Sequence, residues 1–91
     1  MNDVSTTATP ARAPEAVTRE ITEFLAGRVK QDVPVDQDLF RTGLVSSMFA
    51  MELVVFLEQT YGIAIVGPDL KLDNFRTVEG MTALVGRLLD E

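Results

Sequence analysis

The sequence predicts an all-α fold, a small bundle of three main helices plus one short helix, with a long loop between helices 1 and 2. Apolar residues recur at helical spacing in three separate segments, and the stretches between them carry the glycine, proline and aspartate that interrupt helices. A chain of 91 residues also has room for one core and no more.

Residues 1–14, MNDVSTTATPARAP, hold almost no large apolar side chains and cannot offset the entropy of ordering, so a flexible tail is expected there and a folded domain over 15–91. In the first helix, expected over 15–29, Val17, Ile21, Phe24, Leu25 and Val29 form the apolar stripe, with Arg19, Glu20, Glu23 and Arg28 between them. Residues 30–45 contain Pro34, Gly43 and three aspartates, too polar and broken for a helix. Val33, Val35, Leu39, Phe40 and Leu44 are the side chains by which this loop would plug the core.

A second helix should start at Ser46 and Ser47 and run to Tyr61, with Gly62 in the left-handed position that glycine adopts cheaply. A short helix is expected over 69–75. Thr77 can cap the last helix, whose buried stripe is Val78, Met81, Leu84, Val85 and Leu88.

Composition narrows function. Cysteine and histidine are both absent, which excludes disulfides, thiolate nucleophiles, the usual zinc ligands and the commonest general base. Catalysis by the chain itself is not expected. A net charge of −6 disfavours nucleic acid and anionic membrane as partners, and a basic protein surface fits better. The imbalance lies mainly in residues 32–76, where seven acids face three bases. Asp36 and Asp38 do not make a calcium loop, because Phe40 and Arg41 stand where it needs an oxygen ligand and a glycine. With no apolar run near the 18 or so residues of a membrane span and no signal-peptide pattern, a cytoplasmic monomer is expected.

The stretch GLVSSMFAME, residues 43–52, holds the candidate site. A Ser-Ser pair before an apolar segment is ordinarily an N-cap, because the hydroxyl oxygen satisfies an orphan backbone N–H. Yet Leu53, Val54, Leu57 and Tyr61 already complete a core stripe, and Met48, Phe49, Met51 and Val55 lie largely outside it. Either the preceding loop folds over these four or they form an exposed apolar patch, which globular monomers rarely leave without a binding use. Glu52 and Glu58 lie on the same helix with no basic residue between Ser46 and Tyr61, and read either as a docking face or as an ordinary solvated one.

The runs Asp38-Leu-Phe-Arg-Thr-Gly-Leu-Val-Ser-Ser-Met, Glu52-Leu-Val-Val-Phe-Leu-Glu58 and Tyr61-Gly-Ile-Ala-Ile resemble acyl carrier proteins and the related peptidyl carriers, over residues 17–89. In that family the signature is Gly-x-Asp-Ser-Leu or a close variant, and its serine carries 4′-phosphopantetheine through a phosphodiester. Aligned through Gly43, Glu52 and Tyr61, the attachment serine falls on Ser47, with Met48 in place of the leucine and Ser46 in place of the usual aspartate. Ser46 itself stays open as the modified residue. If Ser46 caps the helix, Ser47 sits in its first turn, where the helix dipole and unpaired N–H groups favour an anion.

The resemblance implies a non-catalytic carrier holding an acyl group as a thioester. Its partners would be a phosphopantetheinyl transferase, an acyl-loading enzyme and a downstream synthase or acyltransferase. Met48, Phe49, Met51 and Val55 become candidates for contacts to arm, cargo or partner, and Glu52 and Glu58 for docking onto basic patches. The segment from Asp69 to Val78 is most similar to stand-alone carriers that load three-carbon glyceryl units for polyketide-type secondary metabolism and antibiotic biosynthesis. A peptidyl or aminoacyl carrier is the alternative within the family, and an unmodified helical interaction module the alternative outside it.

Overall fold

A computed structural model describes residues 13–90; the expected tail over 1–14 falls almost wholly outside that range. Three α-helices make the bundle: α1, Pro14–Val29; α2, Ser47–Tyr61; and α3, Val78–Leu89. No strand occurs among the described residues.

Helix α1 begins one residue earlier than the sequence pattern suggests. Pro14 occupies the first turn, where its missing N–H costs nothing and its fixed φ already suits a helix. The helix ends at Lys30, which takes the left-handed conformation (φ 63°) usual for glycine and donates its N–H to the Ala26 carbonyl at 2.8 Å. Gly62 closes α2 in the expected way, with φ 66° and its N–H on the Glu58 carbonyl at 2.9 Å.

The stripes meet as their spacing requires. Ile21 and Leu25 of α1, Leu53 and Leu57 of α2, and Met81 and Val85 of α3 are all fully buried. Helices α1 and α3 share the most extensive contact, and the hydroxyls of Thr18 and Thr82 hydrogen-bond across it at 2.9 Å. Leu88 is half-buried at the edge of its stripe. At the far end of α2, Tyr61 is buried and donates its hydroxyl to the Glu20 carboxylate at 2.6 Å, so its polar tip is satisfied.

The long loop closes the core with Val33, Leu39 and Val45, whereas Val35, expected as a plug, is exposed and Phe40 and Leu44 are half-buried. Backbone bonds strap the loop to the start of α3: Leu39 N–H donates to the Arg76 carbonyl at 2.7 Å and Glu79 N–H to the Val35 carbonyl at 3.0 Å. That second bond holds Val35 by its carbonyl, leaving the side chain outside.

The short helix expected over 69–75 is instead two 3₁₀ turns, Gly67–Asp69 and Leu72–Phe75. Lys71 between them is extended (φ −140°, ψ 149°), which breaks any continuous helical ladder. The Asn74 side-chain amide donates to the Asp69 carbonyl at 2.7 Å and ties the two turns together. Only Phe75 of this segment is fully in the core; Leu70 and Leu72 face outward.

Candidate functional site

The two serines at the start of α2 stand in different surroundings. Ser46 is extended (φ −92°, ψ 164°) and its hydroxyl oxygen accepts the Phe49 N–H at 3.2 Å, an N-cap. Ser47 is the first helical residue; it is exposed, and its hydroxyl has no hydrogen-bond partner among the described residues. No acidic residue lies in this first turn, so the positive end of α2 is not neutralised by its own sequence.

The loop before α2 is braced so as to place both serines. The Asp38 carboxylate accepts the N–H groups of Phe40 and Arg41, at 3.1 and 2.9 Å, and its other oxygen meets the Arg76 guanidinium at 3.4 Å. Hydrogen bonding from the Arg41 N–H, helped by the Arg76 charge, holds the Asp38 carboxyl below its ordinary value. Gly43 then turns the chain with φ 76°, and Val45 buries itself, its N–H on the Leu39 carbonyl at 3.1 Å. With Val45 facing inward, Ser46 and Ser47 come next at the surface.

The apolar residues around the serines separate into two groups. Met48, Met51 and Val55 are exposed, at 83%, 57% and 47%, so the loop does not fold over them. Phe49 departs from the expected patch: it is half-buried, stacked beside Phe24 at 6.0 Å, while Phe24 stacks on Phe56 at 4.1 Å. The Arg28 guanidinium covers Phe49 at 4.9 Å from the ring centre.

Each of the two glutamates has a partner within the fold. Glu52 forms an ion pair with Arg28, a base supplied by α1 rather than by its own helix. Glu58 turns its carboxylate to the Ile65 N–H at 2.8 Å, half-buried, and so anchors the chain leaving α2.

Two grooves flank this face of α2. One, of about 430 Å³, lies against α1 and is lined by Phe24, Arg28, Met51, Glu52, Val55, Phe56 and Gln59. The other, of about 160 Å³, includes Ser47 in its wall with Ala50, Met51 and Val54, and is closed by Leu70, Lys71, Leu72 and Phe75. Met51 is the ridge between them. The sequence pattern did not bring Arg28, Leu70, Lys71 or Leu72 to the site. Their contribution depends on which elements pack beside α2, although the unusual run Leu70-Lys71-Leu72 was a local sign of a surface with both apolar and basic character.

A family model described as a phosphopantetheine attachment site matches residues 16–85. The chain belongs to this family of phosphopantetheine carrier proteins. Among its relatives are D-alanyl carrier proteins of Streptococcus gordonii, 34% identical over 75% of this chain and 94% of the relative, and of Lactobacillus delbrueckii, 25% identical over 82% and 96%. A third, from Lactococcus lactis, is 29% identical over 79% of this chain and 91% of its own length.

As a member, the chain is a carrier and not an enzyme, and its cofactor is covalently bound 4′-phosphopantetheine. Carriers of this kind work with a phosphopantetheinyl transferase and with loading and downstream enzymes. The start of α2 fits the group: an outward hydroxyl, the positive end of a helix and an adjoining apolar cleft suit a phosphodiester with a largely uncharged tail. The relatives' names describe aminoacyl carriers and lend no support to a polyketide setting. Among the described residues, no helix is long and apolar enough to cross a membrane.

Proposed function

We propose that Ser47 is the attachment residue and that the chain carries a small three-carbon acyl unit with a polar substituent on its second carbon. The observation that supports Ser47 is the division between the serines, with the Ser46 hydroxyl engaged in capping and the Ser47 hydroxyl turned to solvent. Attachment forms a bond from the Ser47 Oγ to phosphorus and breaks the diphosphate of coenzyme A, releasing adenosine 3′,5′-bisphosphate. The serine proton goes to a base of the transferase, since this chain has no histidine and no acid in the first turn of α2.

When bound, the arm supplies a terminal thiol on which the acyl group is held as a thioester. Tethering raises the effective concentration of that group at partner active sites. The chain's own contribution is a rigid helix start, a cleft beside it, and the exposed Met48, Met51 and Val55, which offer apolar contacts to arm or partner.

D-alanyl, named in the relatives, is the cargo favoured by comparison. Glyceryl, which the segment from Asp69 to Val78 favours, has the same three-carbon frame with a hydroxyl in place of the amine and another on the third carbon, and would place the chain in polyketide-type biosynthesis.

The test is incubation with coenzyme A and a broad-specificity phosphopantetheinyl transferase, followed by intact masses of wild type, Ser46→Ala and Ser47→Ala. One adduct lost only in Ser47→Ala is expected. An adduct that persists in Ser47→Ala moves the attachment to another residue, and none on the wild type, with a native partner transferase also failing, favours the unmodified interaction module. The holo protein is then offered a D-alanine-adenylating enzyme or a glyceryl-loading enzyme, and the acyl mass gained identifies the cargo.

A further inference from the structure

Beside Ser47, one basic side chain stands without a counter-ion among the described residues. Lys71 lines the same cleft as Ser47, between the exposed Leu70 and Leu72. The two carboxylates nearest to it in sequence are engaged elsewhere: Asp69 with the Arg87 guanidinium at 2.7 Å, Asp73 with that of Arg76 at 2.7 Å. Arg28 is paired with Glu52, and α2 itself has no cation. The Lys71 ammonium has no ion-pair or hydrogen-bond partner among the described residues. Its backbone is extended, between the two 3₁₀ turns.

Ser46 adds to this arrangement. Since it caps with a neutral hydroxyl where a carboxylate would otherwise sit, it leaves no acid of its own in the first turn of α2 to compete for the ammonium. We propose that Lys71 is a positioning residue that holds the phosphodiester of the arm and lays its first segment along the cleft. The inference rests on attachment at Ser47. A phosphodiester followed by a dimethyl-substituted carbon matches a cation flanked by Leu70 and Leu72, with Met51 and Val54 opposite. The positive end of α2 attracts the same phosphate from the other side.

At an exposed site such a contact is weak, screened by salt, and seen best in the arm's position rather than in stability. The experiment is nuclear magnetic resonance on holo protein whose single adduct at Ser47 has been verified by mass, as wild type, Lys71→Gln and Lys71→Arg. In low salt, wild type is expected to show cross-peaks between the arm's geminal methyls and the methyls of Leu70 or Leu72, together with a shift of the Lys71 side-chain resonances between apo and holo forms. The cross-peaks should be lost in Lys71→Gln, be retained in Lys71→Arg, and fade for wild type in high salt. Cross-peaks that are absent from wild type, or equal in Lys71→Gln, overturn this inference alone. An adduct that survives Ser47→Ala overturns the attachment residue and this inference with it.

Discussion

Two helix starts in this molecule share one capping chemistry and differ in the residue just past the cap. Ser46 before α2 and Thr77 before α3 are both extended (ψ 164° and 157°), and each accepts the N–H three residues on, at 3.2 and 2.9 Å. After Thr77 comes Val78, fully buried; after Ser46 comes Ser47, exposed. A hydroxyl that caps its own helix is already engaged. At α2, unlike α3, a second hydroxyl lies just beyond the cap at a position that the core does not claim, and that difference is what favours Ser47 as a site of attachment.

The two starts are also joined. Arg76, adjacent to Thr77, reaches the Asp38 carboxylate with its side chain and receives the Leu39 N–H on its carbonyl, so the loop that delivers the serines hangs from the start of α3. Damage at the buried start should therefore be felt at the exposed one.

The comparison is broken most severely by Val78→Ser, which places a serine after the Thr77 cap just as Ser47 follows Ser46. Because position 78 is buried, the change removes apolar volume and buries a hydroxyl, and chemical denaturation should show a loss of about 2–4 kcal/mol. No second phosphopantetheine should attach, and a doubly modified mass would show that accessibility does not decide which serine is modified.

A milder contrast comes from the caps themselves. Thr77→Ala should cost about 1–2 kcal/mol and Ser46→Ala, at an exposed end, about 0.5–1 kcal/mol, both by denaturation, with Ser47 still modified in each. Equal losses would mean that burial adds nothing to capping here.

The smallest effect lies in the join. Asp38 has a folded pKa below its ordinary 3.8, so its contribution to stability is fully present above that value and is lost as pH falls through the lower folded one. Asp38→Asn should flatten that acid limb of the stability curve while Ser47 modification continues at neutral pH. An unchanged acid limb would assign the acid sensitivity to other carboxylates.

Much of this was legible in the chain, for reasons that are local. Helical spacing of Ile21 and Leu25, or of Met81 and Val85, requires only that one face be apolar, and the Ser46, Thr77 and Gly62 caps act within four residues of themselves. The place of Ser47 one residue beyond a cap is local in the same way, although it is the resemblance to the carrier signature that makes it the candidate. That Val45 rather than Val35 enters the core was not legible, because loop side chains have no fixed period from which their direction could be read.

The sequence by itself thus determined three helices, the caps at Ser46, Gly62 and Thr77, and the candidate serine. Tertiary structure alone decided the surroundings: Arg28 over Phe49 and against Glu52, Glu58 bonded to the Ile65 N–H, and Lys71 in the wall beside Ser47. Glu52 and Glu58 look alike as charges along the chain, but whether each is paired or bonded to backbone depends on partners brought within a few ångströms by packing. Caps and periods are short-range along the chain, whereas an ion pair or a cleft wall is short-range only in space.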